Sequence, residues 1–242
     1  IVLFGKELGG TIPRAIGAFH LLNSLYLDKL ELVGTIPPEA FSSRHLSVIQ
    51  IKSNHLYGAI PSNIYQLDRL DTLSLRESLS GSISDEIGNW VSLRSLTLHG
   101  LSLEGTIPST IRNLSQLQSI TISASQIGGT IPQEIGQLQS LISFFMNDNP
   151  SLTGTLPASL GQLKNLLTLS ITNTNVGGHI DVIGELSSAI VIYLTSSPFH
   201  GTIPSSIGNL KQLSQLDLSR TSVVGPIPNE IAQLKLSILQ IE

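Results

Sequence analysis

Apolar residues recur along the chain in the frame L-x-x-L-x-L. Leu22, Leu25 and Leu27 set it, and Leu93/Leu96/Leu98, Leu117/Ile120/Ile122 and Leu213/Leu216/Leu218 repeat it. The last two members are two apart, the period of a strand that turns alternate side chains to one side. Each frame is followed by G-x-I-P or a close variant. Apolar residues then return at helical spacing, as in Ile111 and Leu114, Ile135 and Leu138, Ile207 and Leu210. The pattern predicts a unit of strand, turn, second short extended segment and helical turn.

The glycine of the second motif marks the period. Gly10, Gly34, Gly58, Gly81, Gly105, Gly129, Gly154, Gly178, Gly201 and Gly225 are separated by 24, 24, 23, 24, 24, 25, 24, 23 and 24 residues. A unit of this kind cannot enclose its own apolar side, but stacked on its neighbours it can. About seven Leu or Ile side chains per coil would then enter one continuous core, each stabilising by roughly 1.5–3 kcal/mol when fully buried. Successive strands would align as a parallel sheet at about 4.8 Å per coil, giving a rod about 45–50 Å long. The expectation is an α/β repeat solenoid of about ten repeats filling residues 1–242 as one domain.

Glycine at the period mark suits a crowded turn or a close approach between coils. The proline after it fixes φ and offers no N–H. Ser84 and Asp181 stand where proline is expected, each beside a 23-residue spacing, so local distortion is expected there.

The pattern L-x-x-L-x-L-x-x-N-x-L-x-G-x-I-P at a period of 24 resembles the plant-type leucine-rich repeat, over the whole chain. The resemblance implies a curved solenoid with its parallel sheet on the concave face and short helical or 3-10 segments on the convex side. It also implies recognition rather than catalysis, outside the cell or at its surface, as in receptor-like kinase ectodomains and polygalacturonase-inhibiting proteins. The family's asparagine ladder would fall at Leu30, Asn54, Ser78, Leu101, Ser125, Asn149, Thr174, Ser197 and Thr221, of which only Asn54 and Asn149 keep the amide. The family's cysteine-bearing caps are absent. Ile1 and Leu3 at one end, and Leu239 and Ile241 at the other, would expose raw core and an unpaired strand edge. The expectation is a piece of a longer chain, or ends covered by neighbouring subunits.

Composition narrows the partner. Charged residues make up 12% of the chain and the net charge is −4, which gives no basic stripe for nucleic acid. No apolar run reaches the length of a membrane helix. The absence of cysteine removes thiolate chemistry and disulfides. The six histidines show no metal-ligand spacing, and no nucleophile or phosphate-loop motif occurs, so neither enzyme activity nor a metal or other cofactor is expected.

Between the strand leucines lie the residues that would face outward from the concave sheet. One column reads Tyr26, Gln50, Ser74, Thr97, Thr121, Phe145, Ser170, Tyr193, Asp217 and Gln240. The next reads Asp28, Lys52, Arg76, His99, Ser123, Asn147, Thr172, Thr195 and Ser219. Tyr26, Phe145 and Tyr193 are candidate anchors for a protein, peptide or glycan ligand, with Asn147 and Asp217 beside them. Lys52, Arg76 and His99 form a short basic run suited to a carboxylate or phosphate; an ordinary solvated face is the competing explanation. A second array, Thr11, Thr35, Thr106, Thr130, Thr155 and Thr202, occupies the x of G-x-I. It suggests ice binding or assembly, although the β-propensity of threonine alone accounts for it. Asn113 heads the single open Asn-x-Ser/Thr triplet and is a candidate glycosylation site. Three functions stay open: a recognition scaffold, a component of a larger assembly, and an ice-binding protein.

Overall fold

Each coil makes one circuit around a shared aliphatic interior, through a strand, a second extended segment and a 3-10 turn. The computed structural model describes residues 1–4 and 8–241, with residues 2–4 described by their backbone alone. Among these, the main sheet has thirteen strands. Its parallel path runs in chain order through Val2–Phe4, Ser24–Asp28, Val48–Ala59, Thr72–Ser82, Ser95–His99, Ser119–Ser123, Ser143–Phe145, Thr168–Ser170, Val191–Tyr193, Gln215–Asp217 and Ile238–Gln240. In the strands from Ser24 to Asp217 the residue expected to point inward from the leucine frame is buried, while the last strand, Ile238–Gln240, is exposed throughout. Leu25, Ile49, Leu96, Ile120, Phe144, Leu169, Ile192 and Leu216 are fully buried.

The opposite, convex side carries one 3-10 turn per coil, such as Ser109–Asn113, Gln133–Gln137 and Ser205–Asn209. Each is five residues or fewer, too short to gain from α-helical propagation, and i→i+3 bonds close it tightly. A proline caps most of them in extended conformation, as Pro108, Pro132 and Pro204 do. Ile111, Ile135 and Ile207 bury the inward face. This is the leucine-rich repeat architecture expected from the sequence, with the sheet on the concave face.

The period glycines interlock with the threonine array. Gly129 has φ 68°, and a Cβ placed there would lie 2.6 Å from Thr106 Cγ2 of the preceding coil. Gly154 and Gly178 repeat the arrangement with Thr130 and Thr155 at 2.7 Å. The threonine methyl thus occupies the space that the missing side chain leaves. Position x and the next coil's glycine are coupled sterically, which gives the threonine array a packing role that the sequence alone did not show.

The two irregular coils differ from each other. Ser84 stands in the proline position, and its extra N–H is accepted by the Tyr65 hydroxyl at 3.1 Å. Its own side chain accepts from the Glu86 N–H at 3.2 Å and so caps the turn. Tyr65 is held by stacking on Trp90, ring centroids 5.0 Å apart, and Trp90 Nε1 donates to Ile64 O at 3.0 Å. At the other coil the expected substitution is corrected. Asp181 is the first residue of the turn Asp181–Glu185, and Ile180 takes the cap with φ −102°, ψ 13°. The proline position is deleted there rather than replaced. At the ends, Ile1 is 37% and Leu239 40% exposed; the Leu3 side chain lies outside the described residues.

Gly129→Ala is expected to cost about 2–3 kcal/mol from left-handed strain and contact with the Thr106 methyl. In a Thr106→Ala background the cost should fall by about 1 kcal/mol without vanishing, because the φ strain remains. Urea unfolding of the four proteins checks this; additive costs would show that the methyl contact has no energetic weight.

Candidate ligand-binding face

Strand register fixes the outward columns. Cα pairing runs Tyr26–Gln50–Ser74–Thr97–Thr121–Phe145–Ser170–Tyr193–Asp217–Gln240 across successive coils. This is the central column expected from the leucine frame, without a slip. Tyr26, Phe145 and Tyr193 are half-buried, each with part of its ring on the surface. Phe145 and Tyr193 flank Ser170, which is only 3% exposed. The Tyr193 hydroxyl donates to Gln215 Oε1, which steers that ring along its own sheet face.

The polar candidates are partly committed to the fold. Asn147 Oδ1 accepts from Ser170 Oγ at 2.9 Å and from the Thr172 N–H at 3.2 Å. Asp217 Oδ1 accepts from the Ser219 N–H at 2.9 Å and from Ser219 Oγ at 2.6 Å. The other polar tips of Asn147 and Asp217 make no bond within the described residues and face solvent.

The basic run is weaker than its sequence suggested. Asp28 pairs in register with Lys52, and Lys52 Nζ lies 3.5 Å from Asp28 Oδ2. Arg76 and His99 remain exposed, with no ion pair among the described residues. They rim a shallow cleft with Asn54, Glu77, Ser78 and Gly100.

Glu77 is the residue that sequence reasoning missed. In regular coils the ladder residue follows a residue with positive φ: Lys29, Ser53, Ala124, Asp148, Asn173, Ser196 and Arg220. At Asn54, Asn149 and Ser197 its side chain then meets the backbone of the coil before. Asn149 Oδ1 accepts from the Ser125 N–H at 3.2 Å, and Asn149 Nδ2 donates to Ile122 O at 2.8 Å and Asn147 O at 3.1 Å. The coil at Thr72–Ser82 lacks the positive-φ residue before its ladder place, which shortens the backbone there by one residue. The ladder place expected for Ser78 falls instead to Glu77, whose longer side chain makes up for the shorter backbone. Glu77 Oε1 accepts from the Asn54 N–H at 3.0 Å and from Asn54 Nδ2 at 3.2 Å. Glu77 is 5% exposed and its Oε2 is buried without a hydrogen bond. Burial pushes its carboxyl above the ordinary glutamate range, against the opposing pull of the Asn54 hydrogen bonds.

The threonine array is exposed at Thr11, Thr35, Thr106, Thr130, Thr155 and Thr202, on the flank rather than on the concave sheet. Asn113 is exposed at the end of its 3-10 turn, its Nδ2 lying over Gly88, 2.8 Å from where a Cβ would stand. No group of three or more His, Cys, Asp or Glu among the described residues is placed to hold a metal ion. No helix among them is long and apolar enough to cross a membrane.

A continuous register of leucine frames, positive-φ glycines and one 3-10 turn per coil defines a leucine-rich repeat solenoid. The leucine-rich repeat family model matches residues 92–114, and the chain is a leucine-rich repeat protein of the plant type. Among solved structures it is similar to the plant peptide hormone receptor RGFR1 in complex with RGF2, at 35% identity and TM-score 0.89, covering 99% of this chain and 38% of that one. It is similar also to the Arabidopsis receptor kinase HAESA in complex with the peptide hormone IDA and the co-receptor SERK1, at 27% identity and TM-score 0.90, covering 100% of this chain and 42% of that one. A plant ice-binding protein matches at 25% identity and TM-score 0.84, covering 99% of this chain and 80% of that one. The chain thus spans about two fifths of the receptor chains. A search of curated proteins finds no match.

Because its carboxyl is raised in the fold, the ionised form of Glu77 weakens the structure. Its favourable contribution is complete below the unfolded carboxyl range, near about pH 4, and is lost as pH rises through the folded value. Glu77→Gln keeps the acceptor oxygen and is expected to stabilise the chain by about 1 kcal/mol at pH 7. The gain should shrink toward zero as pH falls through the glutamate range. Urea midpoints from pH 3.5 to 8 check this; a gain independent of pH would contradict it.

Proposed function

We propose that the chain is an extracellular, non-catalytic recognition scaffold that holds a protein, peptide or glycan ligand across its concave face. The observation that carries this reading is the unbroken register of the central column. It places Tyr26, Phe145 and Tyr193 on one rigid surface whose shape is set by the core beneath and not by the ligand. A surface ordered in advance loses little entropy on binding, and partly buried aromatic side chains are the usual energetic centres of such contacts. The receptor structures above, solved with peptide hormones, support the same use of this architecture.

Random peptides selected by display on the intact chain test the reading. Their affinities should fall at least tenfold in Phe145→Ala or Tyr193→Ala, with the circular-dichroism melt unchanged. Selected peptides that bind both variants as they bind the parent would place recognition elsewhere.

A second reading, ice binding, is favoured by the plant ice-binding protein, of which this chain covers four fifths. The flank threonines are exposed in step with the coils. Their methyls are turned toward the next coil's glycine, which fixes the side chains in one orientation. Inhibition of ice recrystallisation by the purified chain, abolished by Thr130→Lys, is the expected result for this reading. No inhibition at millimolar concentration removes it.

A further inference from the structure

The concave face is chemically divided. The strands from Ser24 to His99 place Asp28, Lys52, Arg76 and His99 in one outward column. The strands Ser119–Ser123, Ser143–Phe145, Thr168–Ser170, Val191–Tyr193, Gln215–Asp217 and Ile238–Gln240 hold no Lys, Arg or His, and Asp217 is their one charged residue. These strands themselves offer a ligand no cation. An anionic group there would lose hydration without gaining a partner.

What this half does offer is a set of hydrogen-bonding groups around two rings, all of them neutral except Asp217. Phe145 and Tyr193 stand in one column, two coils apart, with the small Ser170 shielded from solvent between them. Within the described residues, Asn147 Nδ2 and Gln215 Nε2 are donors without partners. Asp217 Oδ2 is an acceptor without one, since the bonds of these residues fall on their other atoms. The hydroxyls of Thr172 and Thr195 lie on half-buried residues of the adjacent column. Aromatic faces attract the polarised C–H edges of a saturated ring. Amide and carboxylate tips beside them match hydroxyl groups, which both donate and accept.

Spacing adds a length scale. Residues two coils apart in one column, as Phe145 and Tyr193 are, stand about 10 Å apart along the stack, close to the step after which an extended β-1,4-linked glucan presents the same ring face again. We infer that the half of the concave face centred on Phe145, Ser170 and Tyr193 is a binding site for a neutral β-linked oligosaccharide running along the solenoid axis. Sugar rings would lie over the two aromatic residues, and their hydroxyls would reach Asn147, Gln215 and Asp217. This rests on the reading of the concave face as the binding surface and names the ligand class for part of it.

Calorimetric titration of the intact chain with cellohexaose, and in parallel with hexagalacturonate, tests the site. Cellohexaose should bind with an affinity that does not change between 50 mM and 500 mM salt. Tyr193→Ala and Phe145→Ala should each weaken it at least tenfold, while Arg76→Ala leaves it unchanged. Asn147→Asp, which keeps the Oδ1 acceptor and removes the donor, should weaken it severalfold with an unchanged melt. No binding of cellohexaose, or binding indifferent to both aromatic variants, overturns the inference. So does preference for hexagalacturonate lost in Arg76→Ala. If cellohexaose fails while display-selected peptides still depend on Tyr193, the concave face stands as a binding surface and the sugar assignment alone falls.

Discussion

Burial of one aliphatic interior by coils that cannot bury it singly is the constraint on which everything else rests. A coil of 24 residues points its leucines and isoleucines inward from both its strand and its 3-10 turn, but a single coil is one strand thick and leaves that interior open above and below. The neighbouring coil closes it, at the spacing of parallel strands. Leu25, Ile49, Leu73, Leu96, Ile120, Phe144, Leu169, Ile192 and Leu216 then form one continuous line inside the stack. The strand spacing fixes the translation between coils. Glycine at the period mark, with the preceding coil's threonine methyl against it, fixes their approach. The outward columns are a consequence of these two distances and need no specification of their own.

Much of this was legible in the sequence because it repeats. Ten glycine anchors fix the frame, and a strand's period of two decides which residues point outward. The central column from Tyr26 to Gln240 therefore matches the register of the structure residue for residue. The face of each 3-10 turn followed from the isoleucine spacing in the same way. What repetition cannot locate is a deletion between anchors. The 23-residue interval from Gly58 to Gly81 is consistent with a loss at several places. Placing it at the positive-φ turn rather than later moves the ladder position from Ser78 to Glu77. The interval from Gly178 to Gly201 poses the same problem, and there the deleted residue is the proline itself.

Side-chain commitments were the other part that stayed hidden. Lys52 reads as a free cation until the parallel register sets Asp28 beside it. Ser84 reads as a flaw until the Tyr65 hydroxyl is found accepting its N–H, with Trp90 stacked behind. Asn147 and Asp217 read as binding groups, yet each spends one oxygen on the backbone of its own sheet. These pairings join residues of neighbouring coils or tie a side chain to a nearby backbone N–H. A pattern read one coil at a time does not contain them. The candidate site was thus legible as a set of positions, and its chemistry only once the columns stood side by side.

The single tryptophan gives the most direct test of the shared interior. Trp90 is 3% exposed and sits in the coil beside Glu77, far from the other end of the stack. Urea unfolding followed at once by Trp90 fluorescence and by far-ultraviolet circular dichroism compares one coil with the whole. Coils that share one core should lose both signals at the same midpoint. A Trp90 transition complete while most of the dichroism persists would contradict a single cooperative interior.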